Sequence, residues 1–297
     1  MQQRWHDAVG ALLGSAVRSS ATVHGGDVAR AARVDLADGR TVFVKTHDRP
    51  PPAFFLTEAT GLRWLHDAAA VAVPEVLAAT DGGGPDGEGP IALLALGWID
   101  EVPRGRADEH TFGRALAMLH RAGAPSFGRE DRRPTGSRSL PNEPCASWPE
   151  HYGDQRLRPL VAMARAGGAA DAGVLDAVER IAGRLADVPG ADEPPARLHG
   201  DLWAGNRLVD ATGRSWLVDP AAFGGHREFD LAMMQLFGGF GREAFEAYAS
   251  VAPLAAGWES RVPLHQLAPL LVHAIKFGGG YAAALARAVD ALGRLAR

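Results

Sequence analysis

The chain has 297 residues, of which 46% are hydrophobic and 22% charged, and its formal net charge is −4. This length predicts two folded lobes, and the apolar content excludes a largely disordered chain. The charge balance argues against a nucleic-acid or membrane-surface partner, and no apolar run is long enough to predict a membrane span. The single cysteine, Cys145, excludes an intramolecular disulfide and favours a reducing, cytoplasmic setting.

The first hundred residues predict a small, mostly antiparallel sheet with one long helix. Apolar residues at helical spacing, from Trp5 to Val17, indicate an amphipathic helix at the start of the chain. Asp38 and Gly39 separate two segments of alternating polarity, a pattern that predicts a tight hairpin. The predicted strands cover 29–37, 41–45, 76–79 and 91–96, and the long helix covers 54–67.

Beyond Gly97 the pattern changes to helices, so the boundary between the predicted lobes falls between residues 96 and 97. The N-terminal lobe would then cover 1–96 and the C-terminal lobe 97–297. A second hairpin is predicted to turn at Thr212 and Gly213. The predicted helices cover 108–121, 149–166 and 171–187, and the region 229–297 is predicted to form helices broken by glycine and proline.

The densest group of chemically active side chains follows Leu198. Asp201 precedes Asn206, and Asp219 ends a short apolar strand. In phosphoryl transfer a first carboxylate accepts the proton of the attacking hydroxyl, while an asparagine and a second carboxylate hold Mg²⁺ against the triphosphate of ATP. We therefore interpret Asp201 as the base and Asn206 and Asp219 as metal ligands. Their order around a hairpin disfavours the alternative that they only make turn hydrogen bonds.

Two neighbours of this motif are interpreted as structural. His199 is expected to orient the catalytic loop by hydrogen bonding. Asp230 opens an apolar helix, where it either caps the helix or ties down the backbone of the catalytic loop.

A lysine and a glutamate form a second predicted constellation. Lys45 and Lys276 are the only lysines among 31 basic residues, and Lys45 lies within an apolar strand. A strand lysine that pairs with a carboxylate on the next helix can hold the α- and β-phosphates of ATP, and Glu58 lies on that helix. The order of Lys45 and Glu58 ahead of the Asp201 motif favours this role over that of an unrelated surface pair.

The phosphate-binding loop has the weakest signal. Gly25 and Gly26 lie between two predicted strands, one hairpin before Lys45. Glycines there let backbone N–H groups approach phosphates, although a Gly-Gly pair alone is typical of an ordinary turn. Its position ahead of Lys45 favours phosphate binding.

Several segments resemble the fructosamine kinase (ketosamine kinase) family, which is part of the aminoglycoside-phosphotransferase-like, protein-kinase-like superfamily. They are 198–206, 219–233, 236–240 and 277–281, and the pattern of 112–120 and 155–159 also fits. The H-G-D-x-x-x-x-N core alone marks only the superfamily, whereas Trp203 and the His226-Arg227-Glu228 block are more particular to fructosamine kinases. The resemblance implies a two-lobed, protein-kinase-like α+β fold, with a small antiparallel-sheet lobe and a larger, mainly helical one.

The resemblance also implies an activity. A family member would use ATP and Mg²⁺ to phosphorylate the sugar 3-hydroxyl of a ketoamine, either a fructosamine or a ribulosamine, free or protein-linked. It assigns the same roles to Asp201 as base, to Asn206 and Asp219 as metal ligands, and to the Lys45–Glu58 pair. Its hinge, where adenine binds backbone groups, falls on Leu96, Gly97, Trp98 and Ile99.

Trp203 is the residue with a predicted contact to the acceptor. Trp203 lies in the loop of the predicted base, where an exposed indole could stack on a sugar ring or its amine. The alternative is that Trp203 packs inward against the helical lobe. An aminoglycoside- or choline-type acceptor stays open, as does a nucleotide-binding pseudokinase, which the presence of all five predicted catalytic residues disfavours. We expect a monomer.

Overall fold

The computed structural model describes residues 2–23, 29–82, 91–103, 105, 107–131, 133–134 and 138–295. Within these residues no helix has the length and apolar character needed to cross a membrane.

The N-terminal part of the chain contains the predicted antiparallel sheet. It has five strands, of which every neighbouring pair is antiparallel, and the fifth strand in the chain lies between the third and the fourth. The predicted hairpin at Asp38 is confirmed, since Leu36 N donates to Arg40 O at 2.8 Å and Gly39 has a φ of 90°. The elements are α1 (Gln2–Leu13), β1 (Val17–Val23), β2 (Arg30–Leu36), β3 (Thr41–Thr46), α2 (Phe54–Asp67), β4 (Val76–Thr80) and β5 (Leu93–Gly97).

The first helix ends earlier than its apolar pattern predicts. Gly14 adopts a left-handed conformation with a φ of 67°, which stops α1 at Leu13 and leaves Val17 to begin β1. The apolar spacing continues past the helix because Val17 packs against the same core as Val9 and Leu13. The predicted helix is therefore present, but its predicted extent is wrong at the C-terminal end.

Strand periodicity determines the face of the sheet on which Lys45 lies. Val42 and Val44 of β3 pack in the core beneath α1, so the alternating residue Lys45 points to the opposite face of the sheet. That face is covered by α2, whose buried residues Phe55, Ala59, Leu62 and Leu65 pack with Leu94 and Leu96 of β5. The alternation of β3 thus directs Lys45 toward the helix that carries Glu58.

The rest of the chain is mainly helical. The predicted helix over 108–121 is confirmed as α3, and Asp108 caps it by accepting from Thr111 N at 2.8 Å. The predicted second hairpin is also confirmed, with Arg207 paired to Leu217. The helices are α3 (Glu109–Arg121), α4 (Trp148–Tyr152), α5 (Arg158–Gly167), α6 (Ala172–Gly183), α7 (Glu228–Phe237), α8 (Arg242–Val251), α9 (Trp258–Phe277) and α10 (Gly280–Ala291), and the short strands are β6 (Ala196–Leu198), β7 (Arg207–Val209), β8 (Ser215–Leu217) and β9 (Phe223–Gly225).

Proline does not break the longest helix. Pro263 and Pro269 both lie inside α9, which continues through them to Phe277. Pro269 is buried with Leu270 and Leu271, where α9 packs against α5, α7 and α10. Burial of this apolar stripe compensates for the backbone hydrogen bonds that the prolines remove. The expectation that proline interrupts the helical region is wrong at these two positions.

Candidate active site

The predicted base lies in a short loop after β6. Asp201 is partly buried, and buried Asn206 reaches it from the following 3₁₀ turn. Asn206 Nδ2 donates to Asp201 Oδ2 at 3.0 Å, to Asp201 O at 2.9 Å and to Asp219 O at 3.4 Å. One amide group therefore holds together the three residues that the motif singled out.

The buried side chain of Asp230 holds the backbone of this loop in place. Asp230 accepts from His199 N at 2.8 Å and from Gly200 N at 2.9 Å. Gly200 has a φ of 80°, and a Cβ there would lie 2.3 Å from Ala221 O, so only glycine fits. His199 Nε2 lies 3.0 Å from Val218 O and thereby joins the loop to the segment before Asp219. The expected orienting role of His199 and the backbone-tying role of Asp230 are both met by these contacts.

His120 is a supporting residue that the sequence motifs do not predict. It lies on α3, with Nε2 3.3 Å from Asp230 Oδ2 and Nδ1 2.8 Å from the hydroxyl of Tyr248. All three side chains are buried, so they fix the carboxylate that in turn fixes the loop. The contact joins residues far apart in the chain, and short-range spacing carries no signal for it.

Burial controls the protonation of the predicted base. Burial raises the pKa of the Asp201 carboxyl to about 7, the amide of Asn206 opposes that rise, and the Asp219 charge adds to it. A carboxylate whose pKa lies near neutrality can take a proton from a hydroxyl more readily than an ordinary aspartate can.

Asp219 is held in an unusual backbone conformation. It has a φ of 54°, a left-handed value that is uncommon for a residue other than glycine. Its side chain is 40% exposed and contacts the ammonium of Lys45. Strained backbone of this kind persists where the surroundings fix it and is concentrated at functional sites. The conformation aims the carboxylate back toward the sheet and its lysine.

The predicted lysine–glutamate pair is formed. Lys45 Nζ donates to Glu58 Oε1 at 2.8 Å, and both side chains are almost entirely buried. Burial lowers the pKa of Lys45, but the carboxylates of Glu58 and Asp219 outweigh that effect and raise it overall, so the ammonium stays charged. Lys45 thus links α2 to the segment that carries Asp219.

The donor set around Asp219 fits a magnesium ion. Mg²⁺ prefers carboxylate and amide oxygens over nitrogen or sulfur ligands. Asp219 supplies a partly exposed carboxylate, and Asn206 contributes an amide whose nitrogen makes the contacts with Asp201. These are the two residues predicted to hold the metal, and their chemistry agrees with that role.

The predicted hinge begins in the last two residues of β5 and continues beyond them. Leu96 is buried and paired with Phe43 and Val76, and Gly97 N donates to Glu75 O at 2.9 Å. Because the Gly97 N–H is already used, any donor to an adenine edge at the predicted hinge would come from Trp98 or Ile99. The indole of Trp98 is held in place because its Nε1 donates to Asp100 Oδ1 at 2.9 Å.

The predicted phosphate loop cannot be placed in the same way, because Gly25 and Gly26 lie outside the described residues. Their interpretation as phosphate-binding residues stays a prediction.

Trp203 begins a row of aromatic side chains. Trp203 is 40% exposed, and its ring lies against Gly205, where a Cβ would come within 2.2 Å of the indole. It is therefore not packed into the helical core. The row, here called the aromatic wall, continues through Phe237, His273, Phe277 and Tyr281.

The ring spacings of the aromatic wall are those of direct contact. The centroid of Trp203 lies 6.1 Å from that of Phe237, which lies 4.9 Å from His273. His273 lies 5.7 Å from Phe277 and 4.9 Å from Tyr281. Of these residues, only Trp203 was predicted to belong to the site. The available signal was the i, i+4 spacing of residues 273 and 277, followed by the Phe277-Gly-Gly-Gly-Tyr281 segment.

A family model described as fructosamine kinase matches residues 1–294. The chain belongs to the fructosamine kinase family. It is 35% identical over 260 residues to a probable ketoamine kinase of Enterococcus faecium, and the matched segment covers 87% of this chain and 90% of that protein. The structure of a putative fructosamine-3-kinase from Thermobifida fusca YX-ER1 superposes with a TM-score of 0.87 at 40% identity, covering 97% of this chain and 98% of that one.

The expected fold class is confirmed. Besides fructosamine kinase structures, a choline kinase from Streptococcus pneumoniae shares the fold, with a TM-score of 0.64 at 16% identity over 99% of both chains. The fructosamine kinase chain described here combines the antiparallel-sheet lobe and the helical lobe of protein-kinase-like phosphotransferases. It is a phosphotransferase that acts on a hydroxyl group. The exact lobe boundary at residues 96 and 97 stays a prediction.

The Lys45 contacts lead to a first prediction. Lys45→Arg should lower kcat/KM by about tenfold or more, because a forked guanidinium cannot occupy the buried place of an ammonium between Glu58 and Asp219. Steady-state kinetics of ATP turnover would measure the loss. Arg30→Lys, at an exposed ion pair with Asp48, serves as the matched control and should behave like the wild type. Full activity of Lys45→Arg would contradict a role in phosphate binding.

Proposed function

We propose that this chain transfers the γ-phosphoryl group of ATP to the 3-hydroxyl of the sugar in a ketoamine, a fructosamine or a ribulosamine. The observation that carries the proposal is the assembly of Asp201, Asn206, Asp219, Lys45 and Glu58 in one connected set of contacts. Membership of the fructosamine kinase family and the relatives described as ketoamine kinases support the acceptor class.

Asp201 would act as the base. Its carboxylate would accept the proton of the acceptor hydroxyl as the oxygen attacks the γ-phosphorus and the bond from that phosphorus to the leaving ADP breaks. Such proton transfer is typically worth about 10²–10⁴-fold in rate. Asn206 keeps the carboxylate oriented through Nδ2, and Asp230 fixes the backbone on which it is carried. The loop is thus preorganised before the substrate arrives.

Lys45 would bind the phosphates of ATP, and Glu58 would hold its ammonium in position. Asn206 and Asp219 would hold Mg²⁺, which supplies neutralisation of the charge that develops on the phosphate oxygens. Lys45 contacts Asp219 directly, so nucleotide phosphates would enter between these two groups. The contacts of this pair also argue against a pseudokinase, in which at least one of these partners is commonly lost.

Trp203 would form the plate for the sugar. The exposed indole lies two residues after the base and starts the aromatic wall, so a sugar whose hydroxyl reaches Asp201 would lie along the ring.

We further propose that the enzyme acts as a monomer and that it works in the cytoplasm. The buried free thiol of Cys145 supports the cytoplasmic setting.

Truncation of the indole gives the second prediction. Trp203→Ala should raise the KM for a fructosamine by about tenfold or more while the KM for ATP stays within about twofold, because the lost contact area belongs to the acceptor. Varying each substrate in turn would measure both constants. Met118→Ala, which truncates an exposed apolar side chain on α3, is the control and should leave the acceptor KM unchanged. Equal losses for ATP and acceptor would assign Trp203 a packing role.

The position of transfer is tested on the product. After incubation with ATP, Mg²⁺ and N-fructosyl-glycine, ³¹P–¹H correlation spectroscopy should connect the new phosphate to the proton on sugar carbon 3. A phosphate on another carbon would contradict the proposed position and preserve the kinase activity. No phosphorylated sugar at all would contradict the proposed acceptor.

A further inference from the structure

The second lysine of the chain is not explained by nucleotide binding. Lys276 lies in the last turn of α9 with its side chain exposed, and its Nζ lies 4.7 Å from the ring centroid of Phe277. An ammonium over an aromatic face is attracted to it by the cation–π interaction. Because Phe277 belongs to the aromatic wall, Lys276 places a positive charge at the end of that wall away from Trp203.

Lys276 and part of the aromatic wall share one end of α9. His273, Lys276 and Phe277 lie in the last two turns of this helix, and the Lys276 ammonium lies over the Phe277 ring. Burial lowers the pKa of His273, in the middle of the wall, and Lys276 lowers it further. An acceptor that lies along the wall as far as Phe277 would therefore meet this ammonium.

The residue type is informative in this chain. Basic positions are almost all arginine, with only Lys45 and Lys276 as lysines among 31 basic residues. Lysine offers a compact charge on a thin, flexible stem, whereas arginine offers a flat fork. A lysine at the end of the aromatic wall can therefore pair with a carboxylate as a point charge, without the fixed orientation that a guanidinium fork requires.

We propose that Lys276 binds a carboxylate on the amine portion of the acceptor, so that the enzyme prefers ketoamines of free α-amino acids to protein-linked ones. This inference rests on the proposed function. With the sugar on Trp203 and its hydroxyl at Asp201, the amine portion continues along the aromatic wall toward Lys276. In an α-glycated amino acid the carboxylate is one carbon from the nitrogen that bears the sugar. In a protein-linked ketoamine the neighbouring carbonyl groups are neutral amides.

A matched pair of acceptors tests this preference. N-Fructosyl-glycine and N-fructosyl-glycinamide have nearly the same shape, but only the first carries a carboxylate. The wild type should show a kcat/KM about three- to tenfold higher for fructosyl-glycine, as expected for a partly exposed ion pair beside an aromatic surface. Lys276→Met should lower the ratio of the two kcat/KM values to the ratio set by the intrinsic reactivities of the two acceptors. Lys276→Glu should lower it further. Comparing ratios cancels any effect of Lys276 on Asp201, which acts on both acceptors equally.

The control is Arg165→Met, which removes an exposed cation that pairs with Asp176 on the helical lobe and should leave the ratio unchanged. Raising the ionic strength should lower the wild-type ratio, since exposed ion pairs are screened by salt. A wild type that does not distinguish the acceptors, or a ratio that survives in both Lys276 variants, would overturn the inference while leaving the proposed function intact. Failure of every variant and the wild type to phosphorylate either acceptor would overturn the proposed function and the inference with it.

Discussion

Asp201→Asn should lower kcat by about 10²–10⁴-fold while the affinity for MgATP stays within about twofold. The substitution removes the capacity to accept a proton but keeps the size and shape of the side chain. Asn206 already holds the backbone oxygen of residue 201, and that contact does not depend on the carboxylate. Calorimetric titration with MgATP and steady-state kinetics on the same preparation would measure the two quantities.

The matched control for this variant is Asp176→Asn, at an exposed carboxylate on α6 that pairs with Arg165. It changes the net charge equally and should keep the wild-type kcat. Wild-type turnover by Asp201→Asn would remove Asp201 from the role of base. A parallel loss of MgATP affinity would place its effect in nucleotide binding instead.

Asp219→Ala should reduce MgATP affinity by about tenfold or more, because Mg²⁺ would lose its principal anionic ligand. The variant should bind ATP in the absence of Mg²⁺ at least as well as the wild type does, since Lys45 is released from its contact with the Asp219 carboxylate. Calorimetry with and without Mg²⁺ would separate these two effects. Unchanged MgATP affinity would contradict the assignment of Asp219 as a metal ligand.

A second substitution at this position separates charge from backbone strain. Residue 219 has a φ of 54°, which alanine tolerates poorly and asparagine tolerates better. Asp219→Asn therefore removes the charge with less disturbance of the turn, and it should show the same loss of Mg²⁺-dependent affinity. A loss confined to Asp219→Ala would indicate that the turn, rather than the carboxylate, is responsible.

The parts of the fold and site set by local pattern could be predicted from the sequence. Alternation along β3 and the order of the elements placed Lys45 opposite α2, where Glu58 contacts it. The hairpin turn at Asp38 and the loop motif around Asp201 followed from residue types that are characteristic of such turns and sites. Each of these features depends on neighbours within one element or on a fixed order of short segments.

The remaining parts depend on contacts between distant segments. His120 of α3 contacts Asp230 of α7, and the spacing of residues along the chain does not predict that contact. The aromatic wall joins Trp203 to α9 and α10 in the same way. Pro269 inside α9 shows the converse, since tertiary packing overrides a strong local signal for helix termination.

Acceptor selectivity tests the central claim most directly. Initial rates of ADP formation should be compared for N-fructosyl-glycine, a ribulosamine, an aminoglycoside and choline, each with saturating ATP and Mg²⁺ and with Asp201→Asn as the blank. The account predicts Asp201-dependent turnover on the ketoamines, with kcat/KM at least about tenfold above that on the aminoglycoside or choline. Turnover on an aminoglycoside or choline without turnover on either ketoamine would contradict the claim that this fructosamine kinase homologue acts on ketoamines.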